Sequence, residues 1–88
     1  MSSDHLRGAT PAEIGQRVEQ IWRDVLGLRE GHSDATFFEL NGQSISAVRI
    51  SARIEDELGV AVDIGDLFED PDLDAFVRLV VSKAQPAA

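Results

Sequence analysis

Apolar residues recur at helical spacing along much of the chain, and the first such stretch predicts an amphipathic helix. It begins at the capping-box sequence Thr10-Pro11-Ala12-Glu13 and ends at Gly27. The apolar face of this helix is predicted to contain Ile14, Val18, Ile21, Trp22 and Val25. Polar side chains fill most of the other positions, so we expect the helix to cover one side of a core.

A second helix is predicted from Ser44 to Leu58, with Gly59 as its end. Its core stripe is expected to be Ala47, Ile50, Ile54 and Leu58. A short third helix follows Asp63 and includes Ile64, Leu67 and Phe68. The last helix is predicted to bury Leu73, Phe76, Val77 and Val80. The preceding sequence, Asp70-Pro71-Asp72, is expected to supply its N-cap, a proline at the first helical position and an early acid.

Three longer helices and one short helix predict an all-α four-helix bundle. The segment 60–62 is too short and isolated to build a sheet. Between the first two helices, residues 28–43 lack a helical period and are predicted to form a long loop anchored by Phe37, Phe38 and Leu40. We expect a flexible segment at residues 1–9, a folded domain at 10–83 and a flexible tail or linker at 84–88.

Composition narrows the possible functions. The 88 residues, 43% of them hydrophobic, suffice for one core, and the chain has no cysteine for a disulfide or a cysteine-based zinc site. The net charge of −8, from 16 acidic and 8 basic residues, disfavours nucleic acid and anionic lipid as partners. No segment resembles a signal peptide or a membrane span. We therefore expect a cytoplasmic monomer whose partners are proteins.

Ser44 is the main candidate for chemistry, because the anchored loop delivers it to the first turn of a helix. A phosphodiester on its hydroxyl would lie among unpaired N–H groups and in the favourable field of the helix dipole. Gly42 is expected to let the backbone turn tightly and to leave room for a modifying enzyme. The alternative is that Ser44 only caps the helix.

A second apolar row begins immediately after the serine. Ile45, Val48 and Ala52 are rotated away from the core stripe, which predicts an exposed docking surface for partner proteins. Arg49 and Arg53 flank the row and are expected to add charge selection. The alternative is that Ile45 folds back on the aromatic loop and that Val48 is partly buried.

The sequence from Phe37 to Ser44, FFELNGQS, resembles the phosphopantetheine attachment motif of peptidyl carrier (thiolation) domains of nonribosomal peptide synthetases. Residues 53–60 and 66–71 also resemble that family, in its order and spacing, and the resemblance covers about residues 13–80. Two positions depart from the usual motif, since Asn41 replaces its first glycine and Gln43 replaces a histidine or an acid. The chain is identified as a member of this acyl carrier protein-like group.

The resemblance implies a function without catalysis. A phosphopantetheinyl transferase would attach 4′-phosphopantetheine from coenzyme A to Ser44, with Asn41, Gly42 and Gln43 beside the attachment point. The arm's thiol would hold an aminoacyl or peptidyl group as a thioester. Adenylation, condensation, tailoring or thioesterase domains would then dock on the exposed row and on Phe68.

Other functions are compatible with parts of the pattern. An acyl carrier protein of a polyketide or fatty-acid pathway, and an unmodified acidic helical interaction module, remain alternatives. A serine hydrolase needs a strand before its nucleophile and a triad histidine, and His5 and His32 are the only histidines. The acidic run 69–74 lacks the length and the glycine of an EF-hand, and we expect no metal site.

Overall fold

Four helices follow one another in the computed structural model, which describes residues 10–28, 35–40 and 42–84. They are α1 (Pro11–Leu26), α2 (Ser44–Leu58), α3 (Ile64–Phe68) and α4 (Leu73–Ala84). Within the described residues, β-pairing is limited to an isolated bridge between Thr36 and Asp72. The predicted all-α four-helix architecture is confirmed.

Local sequence signals set most helix ends. Thr10 and Glu13 form the expected capping box at the start of α1: the Glu13 N–H donates to Thr10 Oγ1 at 3.2 Å, and the Thr10 N–H donates to Glu13 Oε1 at 2.9 Å. Gly27 and Gly59 end α1 and α2 in the left-handed conformation, with φ of 72° and 71°. Asp63 caps α3 by accepting from the Gly65 N–H.

The predicted start of α4 is wrong in register. Asp72, not Asp70, is the capping residue, since its Oδ1 accepts from the Ala75 N–H at 2.9 Å and its carbonyl accepts from the Phe76 N–H at 3.0 Å. Pro71 therefore precedes the helix. Asp70 cannot serve as the cap because its carboxylate binds the Phe38 N–H, in a segment distant along the chain.

The core is built where α1 packs against α2 and α4, and α3 closes it against α2. The buried residues are Ile14, Val18, Ile21, Trp22, Phe37, Ala47, Ile50, Ile54, Val60, Val62, Leu67, Leu73, Phe76 and Val80. Val25, Leu58 and Val77, whose spacing predicts burial, are only partly buried and pack against the edge of this core. No helix in the described ranges is long and apolar enough to cross a membrane.

Residues 36–40 form a helical turn, a detail missing from the predicted irregular loop. Thr36 and Glu39 exchange the hydrogen bonds of a second capping box, at 2.9 and 3.3 Å, and the Leu40 N–H donates to the Thr36 carbonyl at 3.0 Å. This turn buries Phe37 completely but leaves Phe38 exposed, so only one of the two phenylalanines is a full anchor.

Several predictions concern residues outside the described ranges. These are the loop residues 29–34, Asn41 and the expected flexible ends at 1–9 and 85–88. Ala84, the first residue of the predicted tail, belongs to α4.

We expect Phe37→Ala to lower the free energy of unfolding by about 3–5 kcal/mol, because it removes a fully buried ring. The adjacent and exposed Phe38 is the matched control, for which Phe38→Ala costs about 1 kcal/mol or less. Urea unfolding followed by circular dichroism measures both. Equal losses in the two variants would contradict the assignment of Phe37 as the anchor.

Candidate functional site

Ser44 is the first residue of α2, and its side chain is exposed. The capping position belongs to Gln43, whose backbone is extended with φ of −136° and whose side chain makes no capping hydrogen bond. The alternative in which Ser44 serves as the helix cap is therefore wrong. The serine presents its hydroxyl to solvent at the N-terminal end of a 15-residue helix.

The start of α2 favours a negatively charged group. No side chain caps this end, and no acidic residue lies in its first turn. The N–H groups of the first turn have no intrahelical partner, and the helix dipole places a partial positive charge there. A phosphodiester on the Ser44 hydroxyl would be stabilised by both effects, so the residues present fit a phosphopantetheine group.

Gly42 lies where the chain turns into α2, and its lack of a side chain permits a close approach to Phe37. Among the described glycines only Gly27 and Gly59 have positive φ. A Cβ on Gly42 would lie 2.6 Å from the Cε1, Cε2 and Cζ atoms of Phe37, well inside van der Waals contact. The Gly42 N–H also donates to the Phe37 carbonyl at 2.9 Å. The chain entering α2 is thus pressed against the buried ring.

Gln43 and Asn41 are the other two residues of the predicted attachment motif. Gln43 is exposed, and its carbonyl accepts the first hydrogen bond of α2 from the Ala47 N–H at 2.9 Å. Asn41 lies outside the described residues, so its expected place beside the attachment point remains a prediction.

The second apolar row of α2 is exposed as predicted. Ile45 is 60% and Val48 50% accessible, and Ala52 is also exposed. The exposure of both side chains disagrees with the alternative in which Ile45 folds back on the aromatic loop and Val48 is partly buried. An apolar row of this kind beside a reactive hydroxyl is a feature of protein interaction sites.

Helix α3 adds two exposed apolar side chains, Phe68 at 40% and Ile64 at 38%. Their i, i+4 spacing places them on one face of α3. This spacing is visible in the sequence, but of the two side chains only Phe68 is predicted to take part in docking. The two helices are linked by a hydrogen bond from Ser51 Oγ, one turn after Val48, to the Val62 carbonyl just before α3. We call Ile45, Val48, Ala52, Ile64 and Phe68 the apolar docking surface.

The two arginines of α2 have different surroundings. Arg49 is exposed, whereas Arg53 donates to Glu57 on its own helix at 2.7 Å and to Asp24 on α1 at 3.3 Å. The hydrogen bond to Glu57, with a further contribution from Asp24, raises the pKa of Arg53. Arg53 therefore links α2 to α1, and this use of its charge differs from the expected partner selection.

The described residues contain no group of three or more side chains suited to hold a metal ion. The acidic run that could suggest calcium is used for structure instead, with Asp72 capping α4 and Asp70 binding the Phe38 N–H. His5 and His32 lie outside the described residues.

Comparison with known proteins agrees with this geometry. Residues 16–80 match the family model described as "Phosphopantetheine attachment site". The chain belongs to this family. Members carry 4′-phosphopantetheine covalently and are generally not catalysts themselves, so the predicted cofactor is confirmed.

The carrier domain is similar to parts of nonribosomal peptide synthetases. It is 39% identical over 67 residues to phosphinothricin tripeptide synthetase PhsC of Streptomyces viridochromogenes, and 37% identical over 82 residues to nonribosomal peptide synthetase ungA of Aspergillus violaceofuscus. These matches cover 76% and 90% of this chain but only 6% and 1% of the relatives, so the chain spans a small part of their length. The predicted likeness to peptidyl carrier domains is confirmed.

We expect Gly42→Ala to destabilise the carrier domain by about 1–3 kcal/mol, because the new methyl group must displace the Phe37 ring or the backbone. Gly65→Ala in α3 is the matched control. There the added Cβ meets only Asp63 at 3.7 Å or more, and the helix gains propensity, so stability is unchanged or rises by up to about 1 kcal/mol. Thermal and urea unfolding of both variants make the comparison, and a neutral Gly42→Ala would contradict the close contact.

Proposed function

We propose that Ser44 is the residue that receives the phosphopantetheine arm, and that the chain carries aminoacyl or peptidyl groups on it during nonribosomal peptide synthesis. The observation that carries the proposal is an exposed serine hydroxyl at the uncapped N-terminus of α2, two residues after a glycine held against a buried ring. Family membership supplies the cofactor, and the geometry supports this serine as its site.

The attachment is a phosphoryl-group transfer from coenzyme A. Ser44 Oγ forms a bond to the phosphorus on the pantetheine side of the pyrophosphate, and the bond from that phosphorus to the bridging oxygen breaks. Adenosine 3′,5′-bisphosphate leaves, and the hydroxyl proton passes to a base on the transferase. The exposure of Ser44 lets both the transferase and coenzyme A reach the hydroxyl.

The chain's own contribution is to orient and tether. The first-turn N–H groups of α2 stabilise the phosphodiester, and Gly42 and Gln43 border the attachment point. Asn41, which precedes Gly42 in the sequence, is expected to lie beside them. When bound, phosphopantetheine supplies a thiol that holds the cargo as a thioester. Because tethering raises the effective concentration of the cargo at each enzyme, the carrier itself needs no catalytic residue.

The apolar docking surface is the proposed contact for partner enzymes. Because Ile45 and Val48 follow Ser44 in the first turns of α2, the transferase, and adenylation, condensation, tailoring or thioesterase domains, can bind the carrier there while they reach the arm. Exposed Arg49 adds a positive charge beside the row and favours partners with an acidic rim. The carrier acts as a monomer in this proposal, and because the arm raises the effective concentration of the cargo at each enzyme, each docking contact can stay weak.

Incubation with coenzyme A and a promiscuous phosphopantetheinyl transferase is expected to add one phosphopantetheine to the wild-type chain. Ser44→Ala abolishes the addition, whereas Ser46→Ala, two residues further along α2, leaves it intact. Since Ser44 is not the helix cap, Ser44→Ala changes the free energy of unfolding by less than about 0.5 kcal/mol. Intact-protein mass spectrometry reads the addition. Modification of the Ser44→Ala variant would reject Ser44 as the site.

A second expectation concerns the docking surface. Val48→Asp lowers the rate of Ser44 modification by about tenfold by raising the transferase KM, because a charge replaces an exposed apolar contact. Ala12→Asp introduces the same charge on the exposed first turn of α1 and leaves the rate unchanged. Steady-state kinetics and thermal unfolding are measured together. If Val48→Asp keeps the wild-type KM, or unfolds the chain, this surface is not the docking site.

A further inference from the structure

Asp70 has a backbone conformation that is uncommon for a non-glycine residue. Its φ of 63° lies in the left-handed region, and it is the only described non-glycine residue with positive φ. It also precedes Pro71, whose ring further restricts the conformation of the residue before it. Such a residue persists only where neighbouring contacts hold it in place. Aspartate and asparagine tolerate this region better than other side chains do.

The contacts around Asp70 lead to the turn that precedes Ser44. Asp70 Oδ1 accepts the Phe38 N–H at 2.8 Å, and the Pro71 carbonyl accepts the Phe37 N–H at 2.8 Å. Asp72 forms the isolated bridge with Thr36. Residues 70–72, between α3 and α4, thus contact residues 36–38 of the turn. Of these three residues, Asp70 makes its contact through its side chain.

The helical turn at residues 36–40 also sets the path of the chain into α2. The Phe37 carbonyl accepts the Gly42 N–H at 2.9 Å, and the ring of Phe37 lies against the Gly42 backbone. Gly42 is separated from Ser44 by Gln43 alone. A shift of the Phe37–Phe38 peptide would therefore be transmitted to the start of α2, where the hydroxyl lies.

We propose that Asp70 is a positioning residue for the modification of Ser44. Its carboxylate fixes the Phe38 N–H, which holds the turn and the entry to α2 in the geometry that the transferase uses. The inference rests on the proposed function, because it concerns the same serine. It assigns a role to a residue 26 positions away in the sequence that the attachment motif does not include.

Two variants separate the backbone of Asp70 from its side chain. Asp70→Gly accepts positive φ readily but removes the hydrogen-bond acceptor. Asp70→Asn keeps both an oxygen acceptor and tolerance of the left-handed region while it removes the charge. If the acceptor positions the turn, Asp70→Gly slows the modification of Ser44, whereas Asp70→Asn is modified at close to the wild-type rate. Asp74→Asn removes a charge from an exposed side chain in α4 and is the control for the loss of charge.

The hydrogen bond between the Phe38 N–H and Asp70 is tested first, on the chain without phosphopantetheine. Amide hydrogen exchange at Phe38 and Gly42 is expected to accelerate by about tenfold in Asp70→Gly and to stay near the wild-type rate in Asp70→Asn and Asp74→Asn. Transfer kinetics follow. We expect kcat for Ser44 modification to fall by about fivefold in Asp70→Gly with KM within about twofold, because the docking surface is intact and only the hydroxyl is misplaced.

Each result that contradicts the proposal has a different meaning. Wild-type kcat in Asp70→Gly, despite faster exchange at Phe38, would show that the contact does not position the serine. Equal loss in Asp70→Asn would assign the effect to charge and overturn the proposal. If the wild-type chain is not modified on Ser44 at all, the proposed function fails and the positioning role fails with it, whatever the exchange rates show.

Discussion

The burial of Phe37 is the constraint on which the position of Ser44 depends. Its ring lies completely inside the core, with its centroid 6.1 Å from that of Trp22 on α1, and its carbonyl and ring both contact Gly42. A loop with one buried aromatic anchor has few conformations left between that anchor and the next helix. The serine is consequently presented by a packed scaffold although it lies at the end of a loop.

Helix α2 has one face that packs in the core and another that is exposed to solvent. Ala47, Ile50 and Ile54 are fully buried and hold the helix in the bundle, while Ile45 and Val48 remain accessible beside the serine. Arg53 adds an ion pair to α1 that fixes the same helix without using the exposed row. The side chains that stabilise the fold are therefore not those that form the proposed docking surface.

Local patterns predict the helices well, because the signals at their ends act within a few residues. The Thr10 capping box and Gly59 place their helix ends correctly, and the three-residue spacing of Ile45 and Val48 indicates an exposed row. Contacts between distant segments are not predictable in this way. The prediction of Asp70 as a cap fails because nothing in its neighbourhood shows that its carboxylate binds Phe38, 32 residues away. The close contact of Gly42 with the ring of Phe37 is likewise not predictable from neighbouring residues, since it requires the folded structure.

The most direct measurement of the central claim is the fragmentation mass spectrum of the tryptic peptide spanning residues 30–49, from a chain produced together with a phosphopantetheinyl transferase. This peptide contains the hydroxyl side chains Ser33, Thr36, Ser44 and Ser46. The account predicts one phosphopantetheine, located on Ser44. A modification located on any of the other three residues, or an unmodified peptide from a culture in which a control carrier is modified, would contradict it.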